Sequence, residues 1–331
     1  MTIEVRPLDA WDDPEFDAAY DVLVAAEGFE RPHATPDDRD AVRASLVHPS
    51  ATTQVQGWLA RLDGQPAGVM LAAWPLVDDR QMCWPRLGVA PGLRRRGVGG
   101  ALYEVLRRAV RMAGRSIIQV EVSHPDGVDC WPGVAFAEHH GFELALREVH
   151  SVLRLPVSSE RLSLPPGNGY RVDTWRDHCP DELVDAYCRL REIFGREAPT
   201  GTLIMDEQRW SIERLRDNER RRMVQGISSW TSLARDRDGN PAGFTELVAS
   251  LTARDAHQHQ TLVVPEHRGH RLGAALKAAN LRQLIIDLPG IERVHTCVEP
   301  SNVAMNAVNQ ELGYQAAELL EEWQIDLNRR S

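Results

Sequence analysis

Two histidines stand two residues apart in Ala256-His257-Gln258-His259-Gln260-Thr261-Leu262-Val263. Imidazole titrates near pH 6.5, so either ring suits the acceptance of a proton at neutral pH. Strand alternation places both rings on one face, together with Thr261 and Val263. The stretch runs into Val263-Val264-Pro265, then Arg268-Gly269-His270-Arg271-Leu272-Gly273. A strand that ends at proline and turns through Arg and Gly into a helix presents unpaired backbone N–H groups. With the positive end of the helix dipole, those donors form a site for phosphate.

The same arrangement occurs earlier in the chain. Val89-Ala90-Pro91 is followed by Arg94-Arg95-Arg96-Gly97-Val98-Gly99-Gly100. The offset is constant, since 263 − 89 and 268 − 94 both equal 174. Gly97 and Gly99 let the backbone approach an anion, and the three arginines add charge. No Gly-Lys-Ser/Thr follows, which excludes a Walker loop. Each copy has a Gly-aromatic landmark downstream, Gly141-Phe142 and Gly313-Tyr314. Counted at the constant offset, Cys83 and Pro85 stand where the second half has its histidines, and proline cannot act as a base.

The elements that must position these residues also repeat. Extended stretches Thr53–Leu62 and Ala67–Trp74 flank Asp63-Gly64, and Ser228–Arg235 and Ala242–Ser250 flank Asp238-Gly239-Asn240-Pro241. These are hairpin signals, and the meander they imply excludes a dinucleotide fold, which needs a βαβ unit. A helical period follows each Arg/Gly loop (Leu102, Val105, Leu106, Ala109, Val110; Leu272, Leu276, Ala279, Leu284), and then come the β-rich runs Ser116–Val122 and Arg293–Val298. Pro156-Val157-Ser158-Ser159 and Leu164-Pro165-Pro166-Gly167-Asn168-Gly169 read as a linker that resists helix and sheet. The expectation is an α+β (mixed α/β) chain of two tandem domains, residues 1–155 and 170–331, joined by a linker over 156–169. Each is a twisted, mostly antiparallel sheet flanked by helices.

Composition narrows the function. The 331 residues carry 38 Lys+Arg against 48 Asp+Glu, a net charge of −10, which disfavours nucleic acid as a partner. Lys277 is the one lysine among those 38 basic residues, a skew that points to a GC-rich bacterial genome. The five cysteines form no CxxC pair and read as buried small hydrophobes in a reducing, cytoplasmic setting. No segment reads as a signal peptide or a membrane span. His139-His140 and His267/His270 lack companions at ligand spacing, so no metal is expected. Arg220-Arg221-Arg222 reads as the end of a solvated helix. Trp58, Trp74 and Trp84 read as core or cleft wall.

Val-x-Pro followed by Arg-x-x-Gly-x-Gly at a helix start resembles the signature of the GNAT superfamily of acyl-CoA-dependent N-acyltransferases. The likeness in element order covers both halves, and the whole resembles the tandem GNAT proteins of actinomycetes. The resemblance implies that Arg94, Arg95, Arg96, Gly97, Val98, Gly99 and Gly100 cradle the pyrophosphate of acetyl-CoA or another acyl-CoA, with Val89 pairing its backbone with the pantetheine arm. Val263 and Arg268, Gly269, His270, Arg271, Leu272 and Gly273 offer the same in the second half. There Arg271 stands where the family usually has glycine, and either contacts phosphate or closes the loop. Asn302 is either a helix cap or a contact to the CoA arm.

The two histidines are similar to those of the arylalkylamine N-acetyltransferases, nine and eleven residues before the loop arginine; here 268 − 259 = 9 and 268 − 257 = 11. The resemblance thus implies His257 and His259 as the catalytic pair, acting by direct attack of a bound amine on the thioester. The family's usual general acid is a tyrosine, but the corresponding positions are Ala137 and Asn309. The acceptor is expected to be a primary amine on a small molecule or peptide, and the protein a monomer or homodimer. A noncatalytic acyl-CoA-binding or regulatory protein is the alternative.

Overall fold

The computed structural model describes residues 1–48, 50–128 and 130–329. The first half runs β1 (Ile3–Pro7), α1 (Asp13–Gly28), α2 (Arg39–Val47), β2 (Thr53–Leu62), β3 (Gln65–Pro75), β4 (Met82–Val89), α3 (Val98–Met112), β5 (Ile117–His124), α4 (Pro132–His139) and β6 (Glu143–Arg154). A short helix, α5 (Ser159–Leu162), precedes β7 (Arg171–Arg176), α6 (Val184–Glu197), α7 (Ile212–Val224), β8 (Ile227–Arg235), β9 (Pro241–Ser250), β10 (Asp255–Val263), α8 (Leu272–Asp287), β11 (Arg293–Val298), α9 (Val303–Leu312) and β12 (Gln315–Asp326). The mixed α/β class and the repeated element order are those read from the sequence.

By its contacts the chain forms two compact units. One holds Met1–Leu146, Gly201–Asp206 and the residues from Leu320 onward; the other holds Arg147–Thr200 and Glu207–Leu319. Each unit thus takes residues from both of the halves, 1–155 and 170–331, expected from the sequence. In the first unit the strands lie in the order β1-β2-β3-β4-β5, with the end of β12 beside β5; in the second the order is β6-β11-β10-β9-β8-β7. Strands β4 and β5 are parallel, as are β10 and β11, while β1 to β4 and β7 to β10 run antiparallel to their neighbours.

Alternation along the strands builds a layer of helices on each face. In the first unit Trp58, Ala60, Met70 and Cys83 pack with Val98, Leu102, Leu106 and Val110 of α3. The intervening Leu59, Val69 and Leu71 pack with Phe16, Ala19, Val22 and Leu23 of α1. In the second unit Leu233, Phe244 and Leu262 face Tyr187, Cys188 and Leu190 of α6. Trp230, Leu247 and Ala256 face Ala278, Leu281 and Leu284 of α8. Each fully buried large apolar side chain contributes about 1.5–3 kcal/mol, so the α3 and α8 interfaces fix the helices that carry the Arg/Gly loops.

Several local expectations change. The linker contains a helical turn, α5, and Leu155, Val157, Leu162 and Leu164 pack on the second unit's core, so apolar residues between the prolines hold it down. Cys83, Cys179 and Cys188 are buried, but Cys130 is exposed and Cys297 half-buried. The α7 run is not wholly solvated: Arg222 turns inward onto Glu246. Trp58 and Trp74 are core, whereas Trp84 reaches across to β5. Among the described residues no helix is long and apolar enough to cross a membrane.

Candidate functional site

Each parallel strand pair opens into a V. Among the described residues β4 pairs with β5 at Met82↔Ile117 and Cys83↔Ile118, and the pairing of β10 with β11 ends at His257↔His295. Beyond those points β4 and β10 each keep one partner, β3 and β9, and their other edge is open. A strand edge with unsatisfied N–H and C=O groups can accept an extended, amide-bearing chain as an added strand.

Both open strands lead into the same turn. In the first, Arg95 (φ 62°) and Gly97 (φ 87°) are left-handed, and Gly97 caps α3. In the second, Gly269 (φ 82°) and Arg271 (φ 58°) are left-handed, and Arg271 caps α8. The loop path survives the replacement of glycine by Arg271 because the arginine accepts the strained conformation. Its guanidinium pairs with Glu311 of α9. Leu272 and Val98 are buried plugs under the turn, so only their backbone is available to a ligand.

Arg94 and Arg268 do a different job from the one their type suggests. Arg94 Nε donates to Val89 O at 3.3 Å and its Nη2 to Ala26 O at 3.2 Å. Arg268 Nε donates to Val263 O at 3.2 Å, and its Nη2 meets Glu197 at 2.8 Å. Both side chains clamp the turn to the end of the open strand. Arg95, Arg96 and His270 are exposed, and Gly100 is half-buried in the first turn of α3. The His270 carbonyl accepts from Gly167 N at 2.9 Å, which seats the linker on the second turn. A Cβ on Gly273 would make ordinary contacts, 3.5 Å from Val308 and 3.9 Å from Val263, so α8 here lies beside α9 and the open strand.

Residues 189–314 match the model of the acetyltransferase (GNAT) family. The chain carries a GNAT domain. A tandem GNAT protein from the clavulanic acid biosynthesis pathway is similar over 100% of both chains, with 28% identity and a TM-score of 0.82. A GCN5-related N-acetyltransferase from Sphaerobacter thermophilus shares the fold at a TM-score of 0.67 and 16% identity, covering 99% of this chain and 97% of its own. A glucosamine N-acetyltransferase region of a fungal β-N-acetylglucosaminidase shares the fold at 0.65 and 15%, over 98% of this chain and 38% of that one. No curated protein matches the chain. The architecture is tandem GNAT, and it supports acyl transfer as its general chemistry.

Within the second GNAT unit a bulge between Gln258 and Thr261 corrects two expectations. First, the histidines do not share a face with Thr261 and Val263. His259 lies against Glu246, which is bound by Tyr187 and Arg191 of α6 and Arg222 of α7. Val263 packs instead with Leu272 and Leu276 of α8. Second, by strand register His257 opposes Val248 on β9 as Trp84 opposes Ala73 on β3, so Trp84, not Cys83, is its counterpart. The extra residue of the bulge produces the one-place discrepancy. In the first unit Trp84 Nε1 donates to Gln119 Oε1 at 2.9 Å, just past the last strand pair.

His257 sits at the apex of the second V. Its ring stacks on buried His295 with centroids 5.4 Å apart. His295 Nε2 meets Asp255 Oδ1 at 3.0 Å and its Nδ1 meets His150 Nε2 at 2.9 Å. His150 Nδ1 lies 3.6 Å from buried Glu318. Burial alone would raise the Asp255 pKa, but hydrogen bonds from His295 and Arg293 outweigh it and hold the carboxyl well below the usual range. The charged Asp255 therefore fixes a proton on His295 Nε2 and orients the ring under His257. His259, 46% exposed, has Nδ1 3.9 Å from Glu246. Burial raises Glu246 too, but Arg222 and Arg191 keep it ionised.

Asp255, His295, His150 and Glu246 escaped the sequence reading. Their signal is weak, since none sits at a motif spacing; only a correct β10–β11 register brings His295 beside His257. Asn302 Oδ1 accepts from Met305 N at 3.2 Å, the cap that was one of its two possible roles. Among the described residues no group of three or more His, Cys, Asp or Glu could hold a metal ion.

Proposed function

We propose that the protein transfers an acyl group, most simply acetyl, from acyl-CoA to a primary amine, and that the second unit does the chemistry. The observation that carries this reading is the open edge of β10, which begins at His257 and ends at the left-handed turn into α8. The open edge suits the amides of a pantetheine arm, and the bare N–H groups at the start of α8 suit a diphosphate. Val263 would pair with the arm, and the amides of Leu272 and Gly273 would bind phosphate. Arg271 lies beside them, released from Glu311 to the anion. His257 takes the amine proton, directly or through water and His259, as the nitrogen attacks the thioester carbon. A strand amide near the apex holds the developing oxyanion.

Glycine at 97 and 99 and the exposed Arg95 and Arg96 give the first unit a second acyl-CoA loop. A cationic amine suits the net charge of −10. The clavulanic acid pathway relative suggests a small-molecule acceptor.

Thiol release from acetyl-CoA with a panel of amines tests the reading. His257→Ala is expected to lower kcat/KM about 10²–10⁴-fold, the usual contribution of a general base, with acetyl-CoA affinity retained. Unchanged turnover would move the base to the first unit. Binding without turnover by the wild-type protein would make it an acyl-CoA-binding protein instead.

A further inference from the structure

In a chain of 37 arginines, one basic residue is a lysine, and it is buried. Lys277 lies on α8 at 1% exposure, in the core of the second unit. Arginine cannot be neutral in a protein, whereas a buried amine can be, and it can give up a proton and take it back. The surroundings leave the group under-satisfied. Among the described residues Asn309 Oδ1, at 2.7 Å, is the acceptor that meets Nζ. The Tyr314 ring lies 5.5 Å away, and its buried hydroxyl has no hydrogen-bond partner among the described residues. Two polar groups short of partners in one seam point to a polar atom that joins them from outside.

The seam leads from the phosphate turn. Gly273 and Lys277 are i and i+4 on α8, hence on one side of the helix. Val308 of α9 abuts Gly273, and the next residue, Asn309, binds Lys277. Val263, the end of the open strand, lies beside the same glycine. An arm held by the turn and by β10 would pass the mouth of this seam.

We propose that Lys277 is the proton donor to the departing thiolate sulfur. The inference rests on the acyl-transfer reading above. As the amine nitrogen bonds to the carbonyl carbon and the C–S bond breaks, His257 accepts the amine proton and the Lys277 ammonium protonates sulfur. The products are amide and CoA thiol, and a solvent proton moving from His257 to Lys277 resets both. Burial holds the amine down to about 7, below a free thiol near 8.5, so the transfer is downhill.

A single lysine makes the test free of background. Protein labelled with ¹⁵N-lysine gives one side-chain Nζ resonance, followed against pH with CoA and with desulfo-CoA, which lacks the sulfur. The midpoint is expected near pH 7 and is expected to differ between the two complexes by about one unit. Equal midpoints overturn the proposal whether or not any variant folds. In turnover, Lys277→Met is expected to lose about 10²-fold or more in kcat with CoA affinity within about twofold. An acyl donor with a more acidic thiol restores it, whereas Lys277→Arg does not. Wild-type protein that binds acyl-CoA but acylates no amine defeats the acyl-transfer reading and the donor role with it. Active wild type with an equally active Lys277→Met defeats only the role of Lys277.

Discussion

Arg271 shows how much a single residue can hide. Its place in the motif asks for glycine, and the structure gives it glycine's left-handed backbone, φ 58° and ψ 18°. A non-glycine residue there costs about 1–2 kcal/mol, and an exposed pair such as that with Glu311 returns at most about 1 kcal/mol. Arg271→Gly is therefore expected to stabilise the protein by about 0.5–1 kcal/mol in urea unfolding; a loss of stability would show that the Glu311 pair dominates. Side-chain direction is likewise invisible to spacing. Arg94 and Arg268 sit where phosphate ligands are expected, yet they clamp Val89 and Val263 because those strand-end carbonyls need donors. Gly97, by contrast, was legible, because only the backbone conformation mattered.

At the scale of elements, hairpins and helices could be read because turn residues and apolar periods are local. The bulge in β10 could not. Alternation over His257–Val263 looks regular, and it is the burial of Gln258, whose Nε2 donates to Thr245 Oγ1 at 2.9 Å and to Glu246 O at 2.7 Å, that marks the irregular turn of the strand. The relay from Asp255 through His295 to His150 spans three strands, β10, β11 and β6, and no local signal announces it. Helix α8 carries its own prediction. Burial lowers Lys277 to about 7, against 10.4 in an unfolded chain. Between those values the unfolded chain holds a proton that the folded chain lacks, so this group makes stability rise with pH from about 7 to about 10.4. Below pH 7 the native state must carry the buried charge. Urea midpoints at pH 6.5 and pH 9 are expected to rise for wild type and to rise less for Lys277→Met; equal slopes would contradict a depressed amine.

At the scale of the molecule, the duplication was plain because two motifs and two landmarks kept a fixed offset of 174 residues. What stayed hidden was which strand closes which unit. The residues from Leu320 onward pack with the first unit, and Arg147–Thr200 pack with the second, since pairing between distant strands leaves no local trace. The repeat also masks a difference between the two units. The first unit keeps the more permissive glycine turn but has Trp84 at the apex of its V; the second has His257 there and arginine in its turn. Hydrogen exchange at the starts of α3 and α8, with and without acetyl-CoA, reads this arrangement directly. Amides of residues 272–274 and along 258–263 should exchange more slowly in the complex, with a matching slowing at 98–100 where the first turn also binds. Unchanged exchange at every one of these amides, under acetyl-CoA concentrations that sustain turnover, would contradict the account.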